Sequence, residues 1–456
     1  MKTYQDLVEA DNIMAFVLQA IQEHKASEMY VTAQIADAYF RKKNTTIKNY
    51  ERTITTIKGV KVQDRYSPNH KVASGFFKRF VTQQVQFLLS NGVTWNDNNV
   101  FGNAFDIQLQ RAAKQALIGA VSFGFWNLDK LQIFKITEFV PLQDENTGAL
   151  RAGIRFWQIA DNKPLRATLY EEDGYTEFAW NRREGNQKLQ GEVLKEKQKY
   201  IYKTSASEID GIEIREGYNY PSFPIVPLWG NEEHESEIVG IRDGIDAYDL
   251  IKNGYENDLD EAQLYWIIKG AGGMDNDDLA QFLDRLKTVR AAAPADGQEV
   301  EAKTVEIPHE ARETLLNRIE RDLYRDYMAL DTRELSIRNA TATEIKAAYA
   351  DIDEKASDFE YMILDFLREI MNIAGVDDDP SFTRNYIVNT QEEVTTVVSA
   401  APYLTEDYVT EKVLTILGDG DKAEDMIKQR QADSINRFNE DTETEGEGDG
   451  DEGTEA

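Results

Sequence analysis

An α+β fold, mainly helical, is what the sequence predicts. Three observations carry it. After residue 237, apolar residues recur at steps of three and four through otherwise polar stretches, the mark of amphipathic helices. Between about 130 and 230, short β-branched and aromatic runs alternate with turn residues, the mark of antiparallel strands. Before residue 120 the spacing is helical again. Apolar residues make up 41% of the 456, enough to build several cores, so most of the chain is expected to fold.

Ile13, Phe16, Val17, Ala20 and Ile21 share one helical face, and Val31, Ile35, Ala38 and Tyr39 share the next. Residues 1 to about 58 are therefore predicted helical. Ser67-Pro68-Asn69 marks a turn. A helix from about Val72 to Ser90 stops at Asn91-Gly92, and another covers about Asn103 to Gly119. Strands are expected at Leu131 to Ile136, Ala152 to Ile159, Ala167 to Tyr170, Tyr175 to Trp180 and Gln198 to Lys203. Asp173-Gly174 turns a hairpin between two of them. Pro221 to Pro227 reads as an extended, proline-stiffened link.

A narrow stripe then runs through Ile238, Ile241, Ile245, Tyr248, Tyr255, Leu259, Ala262 and Trp266, with Lys252 its one polar interruption. A helix from 237 to 268 would be about 48 Å long. An insert follows with one helix, Asp277 to Arg290. A second long helix, 310–330, carries Leu315, Ile319, Leu323 and Tyr327 in phase. Residues 331–341 are polar and irregular. A third helix starts at Thr343 and aligns Ile345, Ala348, Ile352, Phe359, Ile363, Phe366, Ile370 and Ile373. Two more helices are expected at 394–417 and 421–438. Residues 440–456 hold no Lys or Arg and too little apolar surface to order themselves. The first long stripe needs a neighbour along its whole length, and helix 310–330 covers only part of it. That points to oligomerisation.

Several function classes lose support at once. The net charge of −31 leaves no basic footprint for gripping phosphates. The absence of cysteine removes disulfides, thiolate metal sites and thiol nucleophiles. No apolar run approaches the 18 or so residues of a membrane span, and no leader-like segment is read, so no membrane partner is expected. There is no Gly-x-x-x-x-Gly-Lys-Ser/Thr. Gly418 to Lys422 lacks the preceding strand and spacing of a phosphate loop. His24, His70, His234 and His309 are scattered and read as core or solvated side chains. Asp275, Asp277 and Asp278, and Asp377 to Asp379, would suit a metal-dependent nuclease only if they converged from separate elements. Runs of consecutive residues diverge, and helix capping is the simpler role. No catalytic residue, metal site or cofactor is assigned.

The words Tyr220 to Asn231 (YPSFPIVPLWGN), Ile241 to Asp249 (IRDGIDAYD) and Arg338 to Ile345 (RNATATEI), preceded by Asn69 to Val72 and Phe76 to Gly92, occur in a telling order. Over about residues 65–375 the chain resembles the portal proteins of tailed bacteriophages, in the branch typical of long-tailed phages of Gram-positive hosts. The resemblance implies a ring, usually of twelve subunits, at one capsid vertex. Viral double-stranded DNA would pass through it without sequence-specific contact, and the ring itself would not be an enzyme. It implies a wing at 1–236, stem helices at 237–268 and 310–330, and a clip at 269–309. The clip would dock the terminase large subunit and later the head-completion or adaptor proteins. A tunnel loop at 331–343, with Arg333, Glu334, Arg338 and Asn339, would surround the DNA. A long wing helix (344–375), a crown (376–438) and an acidic tail (439–456) follow. Ile238, Ile241, Ile245, Leu259, Trp266, Leu315, Ile319 and Leu323 would pack the stem, so a charge at 245 or 259 would be buried and disruptive. Capsid and scaffold proteins are further implied partners, with assembly in the host cytoplasm and residence in the virion. The acidity suits DNA that slides rather than sticks. Another head or tail-adaptor protein, and more distantly a nuclease, remain as alternatives.

Overall fold

Local signals account for many element boundaries in the computed structural model. It describes residues 2–55, 59–64, 67–96, 101–102, 104–182, 189–206, 213–261, 265–269, 299–303, 308–333, 344, 347–386 and 390–430. Helix α1 (Tyr4–Val8) opens on a reciprocal cap: the Asp6 amide donates to the Thr3 hydroxyl and the Thr3 amide to the Asp6 carboxylate. Asn12 caps α2 (Ile13–Lys25), and Ser27 caps α3 (Glu28–Phe40). After α4 (Thr45–Asn49) the predicted helical stretch gives way to strands β1 (Thr53–Thr55) and β2 (Lys61–Gln63), which pair antiparallel. Helix α5 (Phe76–Leu89) begins four residues later than expected, residues 68–75 being neither helix nor strand. The short β3 (Val93–Thr94) and α6 (Ala104–Gly119) follow.

The β region holds more strands than the sequence suggested. These are β4 (Val121–Trp126), β5 (Leu131–Lys135), β6 (Phe139–Gln143), β7 (Leu150–Trp157), β8 (Leu165–Glu171), β9 (Gly174–Arg182), β10 (Leu189–Gln198), β11 (Ile201–Ala206), β12 (Glu213–Tyr218) and β13 (Ile225–Trp229). Five form an antiparallel sheet in the order β10-β9-β8-β7-β6, three form β13-β4-β5, and β11 pairs with β12. Strand β4 (VSFGFW) is buried along its whole length; its small residues Ser122 and Gly124 read as a loop, which is why strands seemed to start at 131. The expected strand at 198–203 is in fact the junction of β10 and β11. The predicted hairpin is present: Glu171 pairs with Gly174. Gly174 has φ +148, and a Cβ there would lie 2.3 Å from the Gln198 carbonyl oxygen, so no other residue fits. The expected proline link is also corrected. Its second half is β13, paired with β4, with Pro227 opposite Phe123. A proline is tolerated there because β13 is an edge strand.

Helix α7 (Arg242–Glu261) is shorter than the predicted 237–268. Residues Tyr265–Lys269, which include Trp266, form strand β14, paired antiparallel with β15 (Glu299–Lys303). The Tyr-Trp-Ile-Ile run favours a strand over the helix that its spacing suggested. The helix expected at 277–290 lies outside the described residues. Next come α8 (His309–Tyr327), α9 (Ala350–Ala374), β16 (Ser381–Phe382, paired with β3), α10 (Thr390–Ala400) and α11 (Glu406–Leu417). The turn Ala401–Tyr403, with Pro402, divides the stretch expected to be helical at 394–417 into the last two of these helices. A final helical stretch reaches residue 430, and the acidic tail lies outside the described residues.

The chain forms two units. Residues 1–330 and 351–385 make one; residues 331–350 and 386–456 make the other. The first has two cores. In one, Phe16, Val17, Ala20 and Ile21 of α2 cover Ile154, Leu169, Phe178 and Trp180 of the five-stranded sheet. In the other, α3, α5, α6 and α9 enclose the three-stranded sheet, and the neighbouring ends of α7 and α8 join them through Ile241, Ile245 and Leu323. In the second unit α11 buries no side chain, Tyr403 and Leu417 are exposed, and Tyr349 meets Tyr386 edge-on at 5.3 Å.

Candidate functional site

The two long helices α7 and α8 pair antiparallel, and their register can be read from three contacts. A Cβ on Gly244 would lie 2.8 Å from Leu323 Cδ2, so a glycine inside α7 lets the helices approach closely. Further along, the Tyr255 hydroxyl meets His309 Nδ1 at 2.5 Å. Arg312 Nη2 pairs with Asp258 Oδ2 at 2.6 Å and its guanidinium covers the Tyr255 ring.

The expected packing residues divide into two groups. Ile238, Ile241, Ile245 and Leu323 are buried, and Ile319 packs against the same core. Leu259 and Leu315 are 46% and 44% exposed, so within one chain a charge at 259 would not be buried. Leu315 lines an open groove of about 530 Å³ with Ile47, Tyr50, Leu250 and Ile251.

Sequence reading missed the polar group that ties these helices to α9. Lys355 Nζ pairs with Glu237 Oε2 at 2.6 Å, donates to the Tyr327 carbonyl at 3.0 Å, and sits 3.6 Å from the centre of the Tyr327 ring. Asn231 donates to the other Glu237 oxygen at 3.0 Å, and the Tyr327 hydroxyl donates to Gln84 at 2.8 Å. Complete burial drives the Tyr327 phenol well above its ordinary pKa. Beside this knot lies a cavity of about 550 Å³ lined by Glu232, Glu233, Glu235, Asp326 and Asp358. A signal did exist: Lys355 falls between Ile352 and Phe359 on the buried face of α9, and a lysine in such a row needs a partner.

Of the expected loop residues, Arg333 belongs to the second unit. Its amide donates to Asp331 Oδ1 at 3.0 Å, and its Nε lies 3.4 Å from the same oxygen. Glu334, Arg338 and Asn339 lie outside the described residues. So do Asp275, Asp277 and Asp278. Asp378 and Asp379 take up Asn96 through its backbone amide (3.1 Å) and its side chain (3.2 Å), a structural role beside β3. The histidines stand apart. His24 is buried, with Nε2 2.7 Å from the Ile136 carbonyl. His70 pairs with Asp260, His234 stacks on Trp229, and His309 meets Tyr255. Among the described residues no group of His, Asp and Glu side chains could hold a metal ion. Gly418 ends α11 with φ +86, and Lys422 pairs with Asp419.

The sequence model of the family described as "Phage portal protein, SPP1 Gp6-like" matches residues 127–434, more than half of the chain. The chain belongs to this family. The portal protein of Clostridium phage phiCD119 is 23% identical over 400 residues, covering 78% of this chain and 83% of that one. The portal protein of Bacillus phage SPP1 is 23% identical over 432 residues, covering 87% and 82%. Among solved structures, the chain is similar to one titled "Virion of native gene transfer agent (GTA) particle" (TM-score 0.38, 10% identity, covering 75% of this chain and 90% of that one). It is also similar to one titled "Neck of empty GTA particle computed with C6 symmetry" (TM-score 0.40, 12% identity, covering 75% and 90%). The protein is thus a phage portal protein, a structural subunit of the virion's portal vertex.

Proposed function

We propose that copies of this portal protein close into a ring that conducts viral DNA into and out of the head, with no catalytic activity of its own. The observation that carries the reading is the family match across the paired long helices. The exposure of Leu259 and Leu315 on those helices supports it, since apolar side chains on a solvent-facing stripe suit a neighbouring copy. Each subunit of a closed ring offers two different surfaces to its neighbours. In this reading α7 and α8 are the stem, the segment between them is the clip, and residues 331–343 are the tunnel loop. Residues 1–236 and α9 form the wing, and 376–438 the crown. The clip would dock the terminase large subunit, which supplies the ATP hydrolysis, and then the head-completion proteins. Capsid and scaffold proteins would hold the ring at the vertex after assembly in the host cytoplasm. The net charge of −31 favours passage of a duplex over adhesion to it. Imaging of the purified protein tests this. Rings with a central hole wide enough for a DNA duplex are expected. Filaments, or monomers at high concentration, would overturn the ring.

A further inference from the structure

Residues 68–74 lie in neither helix nor strand, and the spacing of their contacts with α7 is that of an extended chain. Side chains of the helix read their backbone at alternate positions. The His70 amide donates to Asn257 Oδ1 (2.7 Å), the Val72 amide to Asn253 Oδ1 (2.6 Å), and the Ser74 amide to Asp249 Oδ1 (2.9 Å). Asn253 also donates from Nδ2 to the Val72 carbonyl at 2.9 Å. Its carboxamide thus makes the two bonds that a neighbouring antiparallel strand would make. Positions two apart on the extended segment meet positions four apart on the helix, in opposite chain directions.

Simple geometry says why the ladder exists and why it is short. Two extended residues advance about 6.6 Å, and four helical residues advance about 6 Å. The mismatch is about 0.6 Å per rung. Four residues also overshoot one helical turn by about 40°, so the segment must wrap around α7. Over three rungs the mismatch sums to about 1.2 Å and the overshoot to about 80°. The other edge of the segment is tied to α4: Lys48 Nζ lies 2.5 Å from the Lys71 carbonyl, and Lys71 Nζ lies 3.1 Å from the Lys48 carbonyl.

The two sides of the ladder are buried to different degrees. Asp249, Asn253 and Asn257 are buried, whereas no residue from 67 to 75 is, and Val72 is 46% exposed. No residue from 68 to 74 belongs to either apolar core, so the segment is held by hydrogen bonds more than by core packing. Apolar burial ties a segment to the unfolding of its core, whereas these hydrogen bonds can be exchanged for bonds to water. We propose that residues 68–74 are a releasable strap that latches α7 to the N-terminal helical layer and opens well before the core unfolds. Opening wets the ladder and frees the part of α7 that also carries Tyr255 and Asp258, its polar links to α8. Besides its amide N–H groups at 70, 72 and 74, the strap supplies the His70 ring to Asp260 of α7 and the Lys71 ammonium to the Lys48 carbonyl.

Hydrogen exchange on the full-length chain, read by mass spectrometry at increasing low denaturant, tests this. The peptide spanning 68–75 should exchange through an opening with a much smaller denaturant dependence than the peptides of α5. The same dependence and the same protection in both would overturn the strap. Two variants at the exposed position 72 separate backbone from side chain. Val72→Pro removes the amide N–H and keeps an extended backbone, while Val72→Ala keeps the amide. Val72→Pro should speed exchange in 68–75 by about tenfold or more, and Val72→Ala by less than about twofold, with α5 unchanged in both. Equal effects of the two variants would refute it. So would loss of α5 protection in Val72→Pro, because strap and core would then open as one.

Discussion

The two ends of the α7–α8 pair are held by different forces. At the end near Ile241, Ile245 and Leu323, α7 and α8 are sealed into an apolar core and crossed by the Lys355 ion pair. At the other end, from Asp249 to Asp260, α7 is held by a polar ladder and two polar links to α8, with Leu259 and Leu315 left exposed. The first end moves only by losing buried area. The second can exchange its partners for water or for another surface. The difference suits a helix pair that is fixed where it enters the body and adjustable along its length.

The largest effect should come from Ile245→Asp. It places an unpaired charge where the side chain is 1% exposed, and should cost about 5 kcal/mol of stability in equilibrium unfolding. A soluble, cooperatively folded variant of near-native stability would mean the apolar anchor is misplaced. Lys355→Met should cost about 3 kcal/mol, since it leaves Glu237 nearly buried without its cation. Adding Glu237→Gln to that variant should restore part of the loss. A double variant no better than the single would show that the pair is not coupled.

Asp249 sharpens the contrast through pH. Burial is the main cause raising its pKa, helped by Asp246, and outweighs the lowering by the bonds from Asn44 and Ser74. The folded state therefore holds its proton more tightly than the unfolded state does. This group's contribution to stability should increase as pH falls from neutral toward the ordinary aspartate range. Asp249→Asn should remove that contribution to the pH dependence and, because its new amide nitrogen faces the Asn44 donor, cost about 1–3 kcal/mol near neutral pH. An unaltered pH profile in the variant would count against the assignment. Leu259→Asp should be the mildest for the single chain, within about 0.5 kcal/mol, yet it should impair ring formation. Normal rings from this variant would remove Leu259 from the subunit interface.

Legibility differed from element to element. The stripe Ile238, Ile241, Ile245 and the rows on α8 and α9 were readable because one-sided burial imposes a helical period on the sequence. Strand β4 was not, because Ser122 and Gly124 look like loop residues until Gly124 is seen to make room for the Phe366 ring. Trp266 fitted the helical spacing of α7 and yet lies in β14, where the strand pairing with 299–303 overrode the period. Asp249, Asn253 and Asn257 fall off the apolar stripe of α7, where polar side chains ordinarily meet solvent. Nothing in their own spacing said that the backbone of 68–74, about 180 residues earlier, would cover them.

By itself the sequence determined the mainly helical α+β class, the paired long helices, the acidity and the portal family, since these depend on local period, composition and word order. The tertiary structure alone decided where α7 ends, which stripe residues are buried, and which polar groups meet: Lys355 with Glu237, and the α7 ladder with the extended strap. The physical reason is one of range. Local propensity and one-sided burial leave a period in neighbouring residues, whereas a hydrogen bond between distant segments constrains only its two ends.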